Sequence, residues 1–520
     1  MSHLLTLSDA LSAHARLRPN KIGARGSNRS LTFSQWNHRA SGLANGLLAS
    51  GLERGDRVGI LANNCLEWLE IYVALARAGL VAVPVNFRLK AAEVAYILKD
   101  CDARAVIAGA DFCATVDQIA SQLALPATRL ISLHRDSTPG WTAYETLIEQ
   151  ADKNRLVPAV DPESMAALMY TSGTTGQPKG AIRSHAGTAL IGQATALDIG
   201  FTENDTALLV MPLCHANSLY FGATFIYLGA TIIVDERSGF DPEHFLRLVT
   251  QQQVTFTSLV PTHCVMLLGL DQQLKQRYDL SRVDKLMISS APAQRDTKLG
   301  VMKLFPNCRL FELYGSTEAG WVTLLRPDQQ LSKIGSVGRE WVGSGAIRLL
   351  DSDGNEVPDG EVGELYSRTA YVFDGYWHND EKTAEAFRGQ WCSVGDMARR
   401  DEEGYIWLVD RKNNMIISGG ENVYPSEVER ILSDNPDVQD VAVIGVAHPK
   451  WGEAVHAFVV SRAGVSDDAR ALSQWCRSRL AAYKCPAGFS FVSAQEMPRN
   501  ATGKILHRVL RERLSSMERQ

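Results

Sequence analysis

Two hydrophobic patterns alternate through the first four hundred residues. Short β-branched runs, such as Arg57 to Leu61, Ala105 to Ile107 and Thr231 to Val234, are separated by longer stretches whose apolar positions recur at helical spacing. A strand buried on both faces reads as a continuous apolar run, and a helix laid on it shows one apolar stripe. The alternation therefore predicts mostly parallel sheets covered by helices, an α/β fold. One repeat of the pattern runs from a strand over Arg57 to Leu61, through Asn63 and Asn64 as helix caps and a helix over Trp68 to Ala78, to a strand over Val81 to Val85. The charge-free run Tyr220 to Val234 is too short for a membrane span and contains Gly222 and Gly229, so it reads as a buried helix followed by a buried strand.

From Trp321 to Arg400 the texture changes to short segments divided by Asp353-Gly354, Pro358-Asp359-Gly360 and Glu403-Gly404, which predicts hairpins closing into a small barrel. After Val409-Asp410-Arg411 it shifts again, to a helix over Pro425 to Asn435, a strand over Val438 to Val446 and a basic helical tail from Lys504 to Arg519. The expected division is an N-terminal domain over 1–410, with its β-barrel portion at 321–400, and a C-terminal domain over 411–520.

Composition narrows the function. With 520 residues, 45% hydrophobic and 21% charged, the chain is an ordinary globular sequence too large for one core. A formal net charge of -5 and the absence of a basic arm give no reason to expect a nucleic-acid partner. The nine cysteines are scattered without a metal-ligand spacing and read as reduced thiols. The N-terminus carries Asp9 among His and Arg and lacks the apolar core of a secretory signal, so a cytoplasmic setting without a transmembrane segment is expected.

The sharpest chemical signal follows the predicted strand Met165 to Tyr170. Thr171-Ser172-Gly173-Thr174-Thr175-Gly176-Gln177-Pro178-Lys179-Gly180 packs hydroxyls, glycines and a lysine into ten positions. Such a loop can offer backbone N–H groups and hydroxyls to phosphate oxygens, with Lys179 as a point charge. It departs from the Walker pattern, because Gly180 and an apolar strand, Ala181-Ile182, follow the lysine. On composition alone a flexible polar hairpin is the alternative. The run Tyr170 to Gly180 closely resembles the signature loop of the adenylate-forming superfamily, which embraces acyl-CoA synthetases, luciferases and peptide-synthetase adenylation domains.

That resemblance implies further motifs in a fixed order, and each is present. Ser290-Ala291-Pro292 resembles the family's adenine-contacting turn. Phe311-Glu312-Leu313-Tyr314-Gly315-Ser316-Thr317-Glu318 resembles its Y-G-x-T-E element, implying a stacking ring, a Thr317 hydroxyl near phosphate or carboxylate, and Glu318, with Thr171, as ligands of Mg²⁺. Val394-Gly395-Asp396 resembles the ribose-binding aspartate, and Asp410-Arg411 the domain junction with its arginine. Asn413 stands where many relatives carry an acidic or basic pivot. Ser418-Gly419-Gly420 resembles the loop facing the thiol channel, and Pro498 to Lys504 the terminal lysine motif.

The resemblance thus implies a large N-terminal domain of two helix-covered sheets plus a small β-barrel, followed by a small mobile α+β domain carrying Lys504. It also implies an acyl-CoA synthetase using ATP, Mg²⁺ and coenzyme A, with a homodimer as the candidate assembly. Lys504 would serve the adenylation step, and rotation about Arg411 to Asn413 would bring Gly419-Gly420 to the thioester step. His215 matches an aromatic or histidine position near the substrate carboxylate in relatives. Ala216 stands where amino-acid-activating relatives have an aspartate, which disfavours an amino-acid substrate. Leu219, Phe221, Val260, Pro261, Cys264, Trp321 and Val322 are the expected acyl-pocket residues, and Trp321 would shorten the pocket to suit a short- or medium-chain or aryl acid. The competing readings are a carrier-protein pantetheine as acceptor and a non-catalytic acyl-adenylate binder, the latter opposed by the presence of Glu318 and Lys504.

Overall fold

The computed structural model describes residues 6–123, 125–133, 138–152, 159–171, 178–290, 293–418, 421–449, 451–499 and 505–517. The chain forms two compact units, Met1–Ile347 with Ser367–Cys392, and Arg348–Tyr366 with Ser393–Gln520.

The first unit holds two sheets. Across the nine-stranded one lie Arg339–Glu340, Gly320–Leu325, Arg309–Ser316, Lys285–Ser289, Phe256–Leu259, Thr206–Leu209, Thr231–Val234, Ile22–Arg25 and Ser30–Thr32. Its strands from Arg309–Ser316 through Ile22–Arg25 pair in parallel, and only the margins are antiparallel. Across the seven-stranded sheet lie Thr142–Ala143, Leu130–Ser132, Ala103–Ala108, Arg57–Leu61, Val81–Pro84, Met165–Thr171 and Lys179–Ser184, parallel except for the final pair.

One continuous buried cluster takes side chains from both sheets and from the helices Phe33–Ala49, Glu67–Ala78, His185–Ile199 and Ala216–Leu228. Local signals set the helix ends. Thr32 and Gln35 form a reciprocal capping box at the start of Phe33–Ala49, and Gly229, at φ +69°, ends Ala216–Leu228 where a side chain would be strained. The uncharged stretch 220–234 is this helix and the strand after it, as its pattern predicts. No helix among the described residues is long and apolar enough to cross a membrane.

Asn63 and Asn64 do not cap the following helix. Glu67–Ala78 starts after Leu66 without a side-chain cap. Asn64 is buried, donating from Nδ2 to the Met211 carbonyl at 3.1 Å and accepting from the Leu213 N–H at 2.8 Å. A tertiary contact that satisfies both ends of a buried amide outweighs one local cap.

The second unit contains a four-stranded antiparallel sheet, Arg348–Leu350, Val362–Tyr366, Asp396–Arg400 and Ile406–Arg411, and a five-stranded one built on the long hairpin Val438–His448 and Gly452–Ser461. Helices Pro425–Ser433, Ala469–Arg477 and His507–Met517 accompany them. The segment expected as a barrel is therefore shared out. Gly320–Leu325 folds back on Arg309–Ser316 through Gly320 at φ +71° and, with Arg339–Glu340, extends the nine-stranded sheet; Phe387–Arg388 and Trp391–Cys392 pair with each other, and Arg348–Leu350, Val362–Tyr366 and Asp396–Arg400 enter the four-stranded sheet. The compact units accordingly do not divide at 410/411, because long-range strand pairing groups 348–366 with the residues after 393.

Candidate active site

Parallel strands leave backbone N–H groups and loops at their carboxyl ends, where α/β proteins bind ligands. In the nine-stranded sheet those ends are Leu209, Leu259, Ser289 and Ser316, and His215, Val260, Ser290 and Thr317–Glu318 follow them. In the seven-stranded sheet Met165–Thr171 ends at the glycine-rich loop. Ser172, Gly173, Thr174, Thr175 and Gly176 lie outside the described residues, as do Ala291, Pro292, Gly419, Gly420 and Lys504.

The two sheets meet chemically at Glu318. Thr171 Oγ1 donates to Glu318 Oε1 at 3.0 Å, and the Tyr376 hydroxyl donates to the same oxygen at 2.9 Å. Lys179 Nζ sits 4.2 Å from the Tyr376 ring centroid. Thr171, Lys179 and Glu318, the last of them far off in sequence, thus share one locus.

The turn bearing Glu318 is held from behind. Buried Arg183 donates from Nη1 to the carbonyls of Thr317 at 3.3 Å and Glu318 at 3.1 Å, and from Nη2 to the Tyr371 carbonyl at 2.5 Å. The Tyr220 hydroxyl donates to the Thr317 carbonyl at 3.2 Å, and Phe373 N–H to that of Glu318 at 2.8 Å. Arg183 and Tyr376 are absent from the sequence-based site. A charged residue inside the otherwise apolar strand Ala181-Ile182-Arg183 is the one signal that marks the former.

Gly315 lies at a bulge opposite Trp321, close to Gly320. A Cβ on it would stand 2.2 Å from the Gly320 carbonyl oxygen, which is backbone and cannot yield. Gly315→Ala is expected to displace the Thr317–Glu318 turn and lower adenylation by about 10²-fold, measured as ATP–pyrophosphate exchange with the circular dichroism spectrum retained. Tyr314 and Ser316 share this strand, and Ser316 Oγ accepts from the Ala319 N–H at 2.9 Å.

Glu312 is committed within the protein. Its carboxylate pairs with buried Lys298 and accepts from the Ala293 N–H at 3.0 Å, so it holds the backbone at Ala293. Burial raises its pKa, against the pull of Lys298. Ser290 itself is exposed with φ +71°, a strained conformation for a residue with a side chain, at the end of Lys285–Ser289.

His215 occupies the N-cap position of Ala216–Leu228. Its Nε2 is buried without a hydrogen-bond partner among the described residues, and burial, helped by the charge of Arg88, lowers its pKa to about 4. The imidazole is neutral at pH 7 and open to a hydrogen bond from a ligand. Of the expected pocket residues, Leu219, Phe221 and Trp321 share the central cluster, whereas Cys264 packs in a separate one with Leu208, Leu259 and Leu267. Val322 follows Trp321 in a strand and faces the opposite side. Trp321 is fixed by its Nε1 hydrogen bond to Thr195 Oγ1 at 3.0 Å and packs edge-on to Tyr220, with centroids 5.2 Å apart.

In the second unit Arg411 Nε pairs with Asp396 Oδ1 at 3.1 Å across neighbouring strands. The turn Lys412–Asn414 is tied down by Lys412 Nζ on Glu364 at 2.9 Å and by Asp410, which accepts from the Ser426 N–H at 2.9 Å. Ser418 is buried at the end of Ile416–Ser418, which pairs antiparallel with Glu421–Val423.

Among the described residues no group of three or more His, Cys, Asp or Glu side chains gathers as a metal site. Mg²⁺ needs less than that, since it binds through one or two carboxylates and takes its other ligands from substrate phosphates and water. Glu318 fits such a role, for Oε1 holds two hydroxyl donors while Oε2 has no hydrogen bond among the described residues.

The sequence matches the AMP-binding enzyme family over residues 11–377 and the AMP-binding enzyme C-terminal domain over residues 427–504. This chain belongs to the AMP-binding enzyme family, within the adenylate-forming superfamily, and its homologues include several acyl-CoA ligases and a fatty acid–[acyl-carrier-protein] ligase. It is 33% identical over 506 residues to indoleacetate–CoA ligase of Aromatoleum aromaticum, covering 96% of each chain. It is 34% identical over 494 residues to long-chain-fatty-acid–CoA ligase FadD13 of Mycobacterium tuberculosis, covering 94% of this chain and 93% of that one. The solved structure of the anthranilate CoA ligase AuaEII in complex with anthranoyl-AMP superposes with a TM-score of 0.90 at 27% identity, covering 100% of this chain and 99% of that one.

Proposed function

We propose that this chain joins an apolar carboxylic acid, aryl or short to medium in chain length, to coenzyme A at the expense of ATP, with an acyl-adenylate between the two steps. The observation that carries the reading is the convergence of Thr171, Lys179 and Glu318 on one locus at the carboxyl ends of the two sheets.

A carboxylate cannot expel oxide, so its oxygen first attacks the α-phosphorus of ATP and the α–β P–O bond breaks, releasing pyrophosphate. Such transfers depend on positioning and on neutralising phosphate charge. Lys179 and the loop after Thr171 would hold the departing pyrophosphate, and Lys504 would offset charge between carboxylate and α-phosphate. Glu318, with Thr171 beside it, would hold Mg²⁺, which supplies charge neutralisation to the phosphate oxygens. Asp396 and Arg411 would take the ribose hydroxyls and phosphates. Coenzyme A then attacks the acyl carbon through sulfur, the C–O bond to AMP breaks, and the thiol proton leaves to solvent. No covalent enzyme intermediate is needed. Rotation at Arg411 to Asn413 would exchange Lys504 for the Gly419-Gly420 loop between steps, and a cytoplasmic setting would supply all three substrates.

The apolar wall of Tyr220, Phe221 and Trp321 supports the choice of acid, and so do the indoleacetate and anthranilate named for two of the relatives. The test is to incubate the protein with ATP, Mg²⁺, CoA and a panel of aryl, fatty and amino acids while measuring AMP and thioester. Thioester from an aryl or short- to medium-chain acid is expected. AMP release that never depends on free CoA would replace CoA by a carrier-protein pantetheine, and turnover confined to amino acids would overturn the pocket reading.

A further inference from the structure

We propose that Tyr376 is a positioning residue that couples the phosphate-side lysine to the metal-side carboxylate, its ring face setting Lys179 and its hydroxyl setting Glu318. This rests on the reading of Glu318 as the Mg²⁺ ligand.

Tyr376 comes from a segment remote in sequence from both partners, yet its backbone is laid against the strand that starts at Lys179. Ala181 and Tyr376 form an antiparallel bridge, Trp377 N–H donates to the Gly180 carbonyl at 2.8 Å, and Ile182 N–H donates to that of Gly375 at 3.0 Å. Tyr376 N–H is also taken by Thr383 Oγ1 at 2.8 Å. The ring is buried against Ala181, Phe373, Ala386 and Cys392, and meets Phe373 edge-on with centroids 4.9 Å apart. A side chain fixed at both backbone and ring has little freedom to follow its partners, so the partners are placed by it.

What it places is specific. Lys179 Nζ stands 4.2 Å from the ring centroid, within the range where a ring's quadrupole holds a cation. At the far end of the same ring the hydroxyl donates to Glu318 Oε1 at 2.9 Å, and Thr171 donates to that oxygen too. Two donors on Oε1 fix the carboxylate plane and leave Oε2 as its coordinating edge. One tyrosine side chain thereby touches both the lysine, through its ring face, and the carboxylate, through its hydroxyl.

The test uses the full-length protein and two readouts: calorimetric ATP binding across a Mg²⁺ series, and ATP–pyrophosphate exchange. Tyr376→Phe keeps the ring and loses the donor; it is expected to raise the Mg²⁺ concentration for half-maximal ATP binding by about tenfold while leaving ATP affinity at saturating Mg²⁺ nearly unchanged. Tyr376→Leu, which loses both, is expected to weaken ATP binding at saturating Mg²⁺ as well. In a Glu318→Gln background Tyr376→Phe should add nothing to the Mg²⁺ shift, since the hydrogen bond acts only through that carboxylate. If Glu318→Gln moves the Mg²⁺ midpoint and Tyr376→Phe does not, the coupling is wrong and the metal reading stands. If Glu318→Gln leaves the midpoint in place, the metal reading falls and the proposal with it. Equal loss of melting temperature and rate in both variants, with no midpoint shift, would make Tyr376 structural only. Should Tyr376→Leu fail to fold, the Tyr376→Phe cycle alone decides.

Discussion

Lys504→Ala is expected to lower acyl-adenylate formation by roughly 10²–10³-fold, the range seen when one preorganised donor to a developing charge is removed. Thioester formation from supplied acyl-adenylate and CoA should change little. The asymmetry follows from the chemistry. In the first step negative charge builds between the acid's oxygen and the α-phosphorus, and a cation there stabilises the transition state more than the ground state. In the second step a thiol attacks a neutral acyl carbon and the leaving group is AMP, so an ammonium at the old position offers little. Single-turnover measurements of each half-reaction separate the two; equal loss in both would mean that Lys504 supports the whole site and not the adenylation step.

Arg183→Leu is expected to destabilise the first unit by about 3 kcal/mol, since a buried acceptor stripped of its donor costs roughly 1–3 kcal/mol. Arg183 serves three carbonyls, those of Thr317, Glu318 and Tyr371. Tyr220 still reaches the first and Phe373 N–H the second, whereas among the described residues no other donor reaches the third, which keeps the loss below three full penalties. Adenylation should fall about tenfold or more even where the variant remains folded, because the Glu318 turn loses its rear support and small displacements of reacting groups are costly. Urea unfolding alongside ATP–pyrophosphate exchange checks both parts. Arg183→Lys should recover little, as one ammonium cannot reproduce a planar fork spread over separated carbonyls. Full activity in a folded Arg183→Leu protein would show that Tyr220 and Phe373 N–H suffice to hold the turn.

The parts of the site that were legible in the sequence are those where chemistry demands a particular local string. A phosphate loop needs adjacent hydroxyls, glycines and a lysine, so Thr171 to Lys179 stands out. Gly315 is readable for a related reason, being pressed against the Gly320 carbonyl at a bulge that no side chain would fit. Tyr376 carries no such mark. A tyrosine in a turn-rich stretch is ordinary, and its importance appears only when the segment 374–377 is laid along Lys179–Ser184. Glu312 sits inside a motif, and the tertiary structure gives its carboxylate Lys298 and the Ala293 N–H as partners.

The same division holds for the fold. Strands and helices such as Thr231–Val234 and Ala216–Leu228 follow from hydrophobic period and glycine stops, which act over neighbouring residues. Which strands share a sheet does not. The assignment of Gly320–Leu325 to the nine-stranded sheet, and of 348–366 to the second unit, depends on pairing between distant segments, and so does the choice of Asn64 as a tie to Met211 and Leu213 over a helix cap. Local strings specify dihedral preference and chemical type. Only the tertiary structure decides which of the many possible long-range partners each buried polar group obtains, because every such group must be satisfied at once and a sequence pattern scores them one at a time.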